Sequence, residues 1–218
     1  MRLIARCALL LASLLALAGC ATRIWNQPVE PFDAVNGYDF YTRLPVNDDE
    51  LFVVLAFSGG GTRSAAFAYG VLEKLRDSPI SVHGQARRLL YEVDVITSVS
   101  GGSFTAAYYG LFGERIFEDL EQHFLKRDVQ GELLSQLLNP GNLLGLASRD
   151  FNRSDLAARW LGRNVFEDKS FADMARGNLP LVIINASDLN NGSTFSACRL
   201  RSGRTSAEPK TAPVWAAS

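Results

Sequence analysis

The feature that most constrains the fold is the stretch 94–103, Asp-Val-Ile-Thr-Ser-Val-Ser-Gly-Gly-Ser. An apolar, β-branched run ends abruptly at Ser100 and two glycines, and small residues typical of a helix follow from 104 to 111. This order predicts a strand, a tight turn and a helix. A serine on such a turn is exposed at the end of the sheet, where the helix N-terminus favours negative charge. Ser100 is therefore a candidate nucleophile, with Ser98 in the place of the first glycine of a G-x-S-x-G elbow. The alternative is a Ser- and Gly-rich turn without chemistry.

A second pattern of the same kind precedes this one. The apolar run 51–57 predicts a strand buried on both faces, as in a parallel sheet, and residues 64–77 have the periodicity of a helix. Between them lies the turn 58–63, Ser-Gly-Gly-Gly-Thr-Arg. Because adjacent parallel strands end at the same edge of a sheet, the two turns are expected to meet there.

The glycine turn has a chemical use beside such a serine. Consecutive glycines let backbone N–H groups point into a concavity without interference from a β-carbon. Attack by Ser100 on an ester carbonyl creates an oxyanion, and the N–H groups of Gly59, Gly60 and Gly61 are candidates to receive it. Arg63 is expected to hold this loop or to add positive charge. Taken alone, the loop also fits phosphate binding or plain turn geometry, although no lysine follows it as in a P-loop.

The remaining chain completes the expected architecture. The apolar run 179–185 and the short segment 194–196 predict two more strands, and strands that alternate with helices indicate an α/β fold with a largely parallel sheet. A length of 218 residues with 47% hydrophobic residues suits one domain with a substantial core. Residues 199–218 have almost nothing to bury and are expected to be disordered. The domain is therefore assigned to 51–198, after a tether and lead-in at 20–50.

The N-terminus has the composition of an export signal. Two arginines flank the start of the apolar run 7–17, which is followed by Leu-Ala-Gly-Cys ending at Cys20. This order resembles the lipobox of bacterial lipoprotein precursors, in which the cysteine is lipid-modified and the signal, here 1–19, is removed. An ordinary secretory signal cut nearby is the alternative. A lipidated Cys20 would anchor the chain in a membrane of the bacterial cell envelope, and Ala21 in place of Asp favours the outer membrane.

Composition argues against several other classes of function. The net charge of −1 gives no indication of nucleic acid binding. The two histidines, His83 and His123, are far apart and have no cysteine nearby, so neither a metal site nor a cofactor is predicted. Only His123 follows Ser100, and its charged surroundings indicate a surface residue rather than the base of a triad. A Ser-Asp dyad, in which a carboxylate takes the serine proton directly, is the natural alternative.

Together these motifs resemble the patatin-like phospholipases in their bacterial lipoprotein form. The resemblance rests on S-G-G-G-T-R at 58–63, Y-G-V-L at 69–72, T-S-V-S-G-G-S at 97–103 and I-I-N-A-S-D-L-N-N-G at 183–192, and it covers about 51–196. It implies a three-layer α/β sandwich with a largely parallel sheet, and hydrolysis of lipid acyl esters without a cofactor. By the resemblance, the site consists of Ser100 as nucleophile, Gly59, Gly60 and Gly61 as oxyanion hole, and Arg63 as support of that loop.

The chain departs from the family pattern in three places. Ser64 and Ser98 stand where many members have glycine, and both substitutes are small. The family's catalytic Asp lies in an Asp-Gly pair downstream of the I-N-A-S-D-L segment, and this chain has no Asp-Gly pair. We therefore expect the N-terminal part of a patatin-like domain, with a sheet incomplete at its C-terminus and the dyad Asp missing; Asp188 is expected to cap its own turn. The alternatives are a non-catalytic, membrane-anchored lipoprotein that retains a remnant of the fold, and a nucleotide-binding module on the glycine turns.

Overall fold

The structure, a computed structural model, describes residues 51–139, 142, 153–188 and 193–197. The chain divides into two compact units. The described residues of the first unit are 51–127, 161–188 and 193–197, and those of the second are 128–139, 142 and 153–160. The predictions made for the signal 1–19, for the lead-in 20–50 and for the tail 199–218 fall outside the described residues.

The first unit is a mixed α/β structure. Its described strands are β1 (Val53–Phe57), β2 (Pro79–Val82), β3 (Gln85–Arg88), β4 (Val93–Val99), β5 (Leu181–Asp188) and β6 (Ser193–Ala197). Its described helices are α1 (Thr62–Arg76), α2 (Gly101–Phe112), α3 (Ile116–Leu120) and α6 (Phe171–Arg176). The helices α4 (Val129–Leu137) and α5 (Arg153–Leu161) belong to the second unit, apart from the last residue of α5. No helix in the described stretches combines the length and the apolar character needed to cross a membrane.

The main sheet has the strand order β1-β4-β5-β6. β1, β4 and β5 run parallel, and β6 returns antiparallel to β5. Two β-α-β crossovers in the same direction along the sheet place α1 and α2 on the same face. The predicted α/β class with a largely parallel sheet is therefore confirmed, and the four predicted strands are those of this sheet.

The two crossover helices pack closely on each other and on the sheet. The hydroxyl group of Thr105 on α2 is buried and donates a hydrogen bond of 2.8 Å to the carbonyl oxygen of Ala65 on α1. A β-carbon on Gly110 would lie only 2.6 Å from a methyl group of Val182 on β5. The small residues of α2 thus let its backbone approach both neighbours.

One prediction about β1 is wrong. The run 51–57 was expected to be buried on both faces, but Val54 and Ala56 are exposed while Phe57 is buried. β1 is the edge strand of the described sheet, and its side chains alternate between a packed face and an open one. A continuous apolar run does not reveal that only one of its faces is covered.

The segment before β4 also differs from expectation. The short basic and apolar sequence at 87–91 predicts a helix, but these residues belong to the hairpin β2–β3 and to the 3₁₀ turn Leu89–Glu92. The hairpin turns at His83 and Gly84, both with positive φ (48° and 75°), as a tight two-residue hairpin turn requires. The buried Glu92 accepts a hydrogen bond of 3.1 Å from Arg87, which ties the 3₁₀ turn to β3.

The charged segment 113–138, with apolar residues at 116, 120, 124 and 125, predicts one helix, which the structure divides. Its first part is helical through Leu125, and α4 begins only at Val129. The carboxylate of Asp128 accepts a hydrogen bond of 2.9 Å from the backbone N–H of Gly131 and so caps α4. An aspartate within an otherwise helical pattern is a start signal, and it explains the interruption.

Candidate active site

Ser100 forms a one-residue turn between β4 and α2. Its backbone angles are φ 51° and ψ −125°, outside the regions that residues with a β-carbon normally adopt. Such a conformation typically costs about 1–3 kcal/mol and is maintained only where surrounding structure fixes it. The turn leaves Ser100 exposed, directly before the first residue of a twelve-residue helix, as predicted.

The glycines after Ser100 are required by packing. A β-carbon on Gly101 would overlap the carbonyl oxygen of Gly61 and the hydroxyl group of Ser64. A β-carbon on Gly102 would lie 2.7 Å from the Cβ of Phe57 and 2.8 Å from the carbonyl oxygen of Ser58. Both distances are shorter than a β-carbon can tolerate, so the start of α2 approaches the end of β1 and the glycine loop too closely for any residue but glycine at 101 and 102.

The same contacts bring the two glycine turns together. Phe57 pairs with Ser98 in the parallel ladder of β1 and β4, so the two strands end side by side. Gly59 then lies against Ser100: a β-carbon built on Gly59 would be 3.2 Å from the Cβ of Ser100 and 3.8 Å from its Oγ. The predicted nucleophile and the first residue of the predicted oxyanion loop are therefore neighbours.

The glycine loop has a backbone path that other residues rarely follow. Gly60 and Gly61 have φ angles of 141° and 65°. The carbonyl oxygen of Gly61 accepts hydrogen bonds from the N–H of Ser64 (3.1 Å), from the N–H of Ala65 (3.2 Å) and from the hydroxyl group of Ser64 (2.9 Å). These bonds fix the loop at the start of α1.

A polar network lies beneath the nucleophile turn. Ser98 is buried and donates a hydrogen bond of 3.1 Å to the carbonyl oxygen of Ile183 on β5. The side-chain amide of Asn185 donates to the hydroxyl oxygen of Thr97 (2.9 Å) and to the carbonyl oxygen of Ser98 (3.1 Å). The hydroxyl group of Ser196 donates to the amide oxygen of Asn185 at 2.7 Å. The C-terminal end of β4 is thus hydrogen-bonded to β5 and, through Asn185, connected to β6.

Other predicted site residues are less closely connected to the turn. Arg63 is exposed on the first turn of α1, and its predicted support of the loop stays a prediction. Cys20 lies outside the described residues. Asp188 ends β5, three residues beyond Asn185, which pairs with Val99 next to the nucleophile. The side chain of His123 is 49% exposed, with Nδ1 3.8 Å from a carboxylate oxygen of Asp119, in accordance with the predicted surface position.

The side chains around α2 whose pKa values are clearly shifted lie near the C-terminal end of this helix. Burial, and then the hydrogen bond to Asp119, raise the pKa of the Tyr108 hydroxyl group. Arg115 forms ion pairs with Asp119 and with Glu167. The hydrogen bond from Arg115 to Glu167 lowers the pKa of the Glu167 carboxyl group. These contacts fix the C-terminal end of α2 rather than the reaction centre. No group of side chains able to hold a metal ion occurs among the described residues.

The site contains three residues whose roles the sequence did not reveal. By sequence, Ser64 and Ser98 are only small replacements for glycine, whereas in the structure both hydroxyl groups donate hydrogen bonds to backbone carbonyl oxygens. Asn185 was part of a motif without an assigned role, and it connects three strands. A polar residue within an apolar run, as at positions 98 and 185, is the signal that could have marked a buried hydrogen bond.

The family comparison agrees with this geometry. The family model for the patatin-like phospholipase matches residues 55–217. The chain belongs to the patatin-like phospholipase family. The matched range contains both glycine turns, Ser100 and Asn185, and it continues through the segment 199–217 that was expected to be disordered. Searches of curated proteins and of solved structures find no match.

Proposed function

We propose that this patatin-like protein hydrolyses lipid acyl esters with Ser100 as nucleophile. The family is one of lipid acyl hydrolases, and the observation that carries the proposal is the contact between the strained Ser100 turn and Gly59. A nucleophile and an oxyanion site must lie on either side of one reacting carbonyl carbon. The two turns meet in a corner where a β-carbon on Gly101 or Gly102 would overlap the end of β1 or the glycine loop, which supports this assignment.

The reaction proceeds in two half-reactions. The Oγ of Ser100 attacks the ester carbonyl carbon, and the carbonyl oxygen becomes an oxyanion that accepts hydrogen bonds from N–H groups of the loop Gly59-Gly60-Gly61. The carbon–oxygen bond to the alcohol then breaks, and the alcohol leaves with a proton. Water attacks the resulting acyl-serine through a second oxyanion, and the fatty acid is released. The N-terminus of α2 directly after Ser100 favours the negative charge in both steps.

The identity of the general base is part of the proposal. A serine hydroxyl is a weak nucleophile without a group that accepts its proton. The family's Asp-Gly pair does not occur in this sequence. Asp188 is the first carboxylate to test, because β5 carries it to the sheet edge at which Ser100 lies. Without any base, an oxyanion site alone still gives about 10³–10⁴ over the reaction in water.

We also propose that the protein acts as a lipoprotein of the bacterial cell envelope, anchored at Cys20 and situated in the outer membrane. The charged, apolar and small-residue order before Cys20 supports this location. Replacement of Cys20 by serine should leave a precursor that takes up no labelled fatty acid. Undiminished lipid labelling of Cys20→Ser would show that the anchor lies elsewhere.

The central test is covalent labelling of the full chain with a fluorophosphonate, together with hydrolysis of a short-chain nitrophenyl ester. The wild type should label at Ser100 and show slow turnover, and Ser100→Ala should lose both. Ser81→Ala, which removes an exposed serine on β2, is the matched control and should retain both. Turnover that is retained in Ser100→Ala would refute the assignment of Ser100 as the nucleophile.

Two further outcomes of this test are informative. Absence of both labelling and turnover in the wild type would favour the non-catalytic lipoprotein. Ser100-dependent turnover and Ser100 labelling that are both lost in Asp188→Asn, with the midpoint of urea unfolding unchanged, would identify the base.

A further inference from the structure

The outer face of α1 carries an unusual set of exposed side chains. Phe67 is 77% exposed, the highest value among the large exposed apolar side chains of the described residues. Single exposed apolar residues are common on protein surfaces, so this exposure needs a second feature to be informative. That feature is the row of residues in which Phe67 lies.

The row follows the helical repeat. Arg63, Phe67, Gly70 and Lys74 are spaced by four, three and four residues, so they share one side of α1, and all four are exposed. The opposite side is formed by Ala65, Ala68 and Leu72, which are buried. We call the exposed set the α1 row.

Both charged residues of the α1 row, Arg63 and Lys74, are cations. Arg63 and Lys74 form no ion pair within the described parts of the chain. Arg76, by contrast, lies off the row, bonds to Asp77 at 3.1 Å and stacks over Phe117. An exposed aromatic ring between two cations fits a surface that is apolar inside and negatively charged outside.

The position of the row relates it to the reaction. α1 begins directly after the glycine loop, so Arg63 lies two residues beyond Gly61 and Phe67 one helical turn farther, about 6 Å along the axis. A membrane that contacts the row therefore brings its lipid esters near the Ser100 corner. Gly70 between the ring and Lys74 leaves room for the ring and the lysine stem to lie against lipid.

We propose that the α1 row is the surface through which this protein contacts an anionic lipid bilayer containing its substrate. The inference rests on the proposed lipid-ester activity for its choice of a lipid surface over a second copy of the chain. Phe67 enters the interface between headgroups and acyl chains, while Arg63 and Lys74 bind anionic headgroups. The row thereby adds a second contact to any lipid anchor at the N-terminus and orients the site toward the bilayer.

The first experiment measures contact without requiring catalysis. The full chain is bound to vesicles of phosphatidylglycerol and phosphatidylethanolamine whose acyl chains carry bromine, which quenches tryptophan emission at close range. Phe67→Trp should add emission that is shifted to shorter wavelength and quenched by bromine. Tyr91→Trp, at a half-exposed aromatic position outside the row, should add emission that bromine does not quench.

The second experiment compares two substrates. Phe67→Ser should lower hydrolysis of vesicle lipid about tenfold, the effect of losing one buried ring, and should leave hydrolysis of a soluble nitrophenyl ester unchanged. Lys74→Glu should lower vesicle hydrolysis roughly tenfold at low salt and less at high salt. Arg88→Glu, an equal charge change on the exposed β3, is its control.

The outcomes separate the two proposals. Quenching at position 67 without any ester turnover supports the membrane surface and refutes the activity. Turnover with unquenched emission at position 67 supports the activity and overturns the membrane surface. Unquenched emission together with an oligomer that Phe67→Ser dissociates would show that a second copy covers the row, and this also overturns the proposal.

Discussion

Gly59 lies so close to Ser100 that a β-carbon added to Gly59 would be 3.2 Å from the Cβ of the serine. This distance is tighter than most contacts that real β-carbons make, so one of the two turns would have to shift slightly. Gly60 and Gly61 have positive φ angles, whereas Gly59 does not. Space beside the serine, rather than backbone strain, therefore requires glycine at position 59.

Gly59→Ala should consequently impair chemistry more than folding. We expect the rate of fluorophosphonate labelling at Ser100 to fall about a hundredfold, because the N–H groups of the proposed oxyanion loop move relative to the serine. The midpoint of urea unfolding should change little. Gly70→Ala is the control, since a β-carbon there meets nothing within 4 Å and a helical alanine stabilises by up to about 1 kcal/mol. Equal labelling of the Gly59 variant and the wild type would show that Gly59 takes no part in the site.

Gly101→Ala should act on folding itself. The added methyl group would overlap the carbonyl oxygen of Gly61 and the hydroxyl group of Ser64, and neither can move without breaking the start of α1. Overpacking of this kind typically costs about 1–3 kcal/mol. We expect a correspondingly lower free energy of unfolding, measured with urea, and loss of labelling at Ser100. A variant as stable as the wild type would mean that the two turns are farther apart in solution.

Ser98 provides a test of a hydrogen bond at the elbow. Ser98→Ala removes the bond from the buried hydroxyl group to the carbonyl oxygen of Ile183 but keeps the β-carbon. It should lower the free energy of unfolding by about 1 kcal/mol and leave labelling of Ser100 within a few fold of wild type. Ser98→Gly, which gives the elbow the first glycine of G-x-S-x-G, should cost more stability, since glycine also weakens a strand. A large loss of labelling in Ser98→Ala would assign the hydroxyl group to the chemistry.

Much of this arrangement could be predicted because it depends on local sequence. The apolar runs predict the strands β4 and β5, and the glycine turn marks the end of β1. Parallel strands then bring their ends together at one edge of the sheet. The approach of Gly59 to Ser100 follows from that rule. The two strand–turn–helix patterns were therefore sufficient to predict the corner in which the site lies.

Other features depend on strand register and on which elements are neighbours in the fold. The periodicity of apolar residues in the sequence does not give this information. The bond from Ser98 to Ile183 exists because β4 and β5 are paired in one particular alignment. The exposure of Val54 follows from the place of β1 at the sheet edge. The hairpin β2–β3 was missed because its second strand, Gln-Ala-Arg-Arg, has little strand propensity and is fixed by pairing with β2.

The start of α6 makes stability depend on pH. The carboxylate of Asp173 accepts hydrogen bonds from the backbone N–H of Ser170 (2.9 Å) and from its hydroxyl group (2.8 Å), and it pairs with Arg176. The backbone hydrogen bond is the main cause that lowers the pKa of the Asp173 carboxyl group. A carboxyl group with a lowered pKa in the folded state stabilises the fold above its unfolded pKa of about 3.9, and this contribution is lost as the pH falls through the folded value.

Asp173→Asn should therefore lower the free energy of unfolding at pH 7, and its difference from the wild type should shrink once the pH falls below about 4. Ser170→Ala should have a similar effect at pH 7, because it removes the other half of the capping box. Glu118→Gln, which removes an exposed carboxylate on α3, is the matched control for loss of charge. The measurement is urea unfolding between pH 3 and pH 7, and a difference for Asp173→Asn that stays constant across this range would contradict the role of the charged cap.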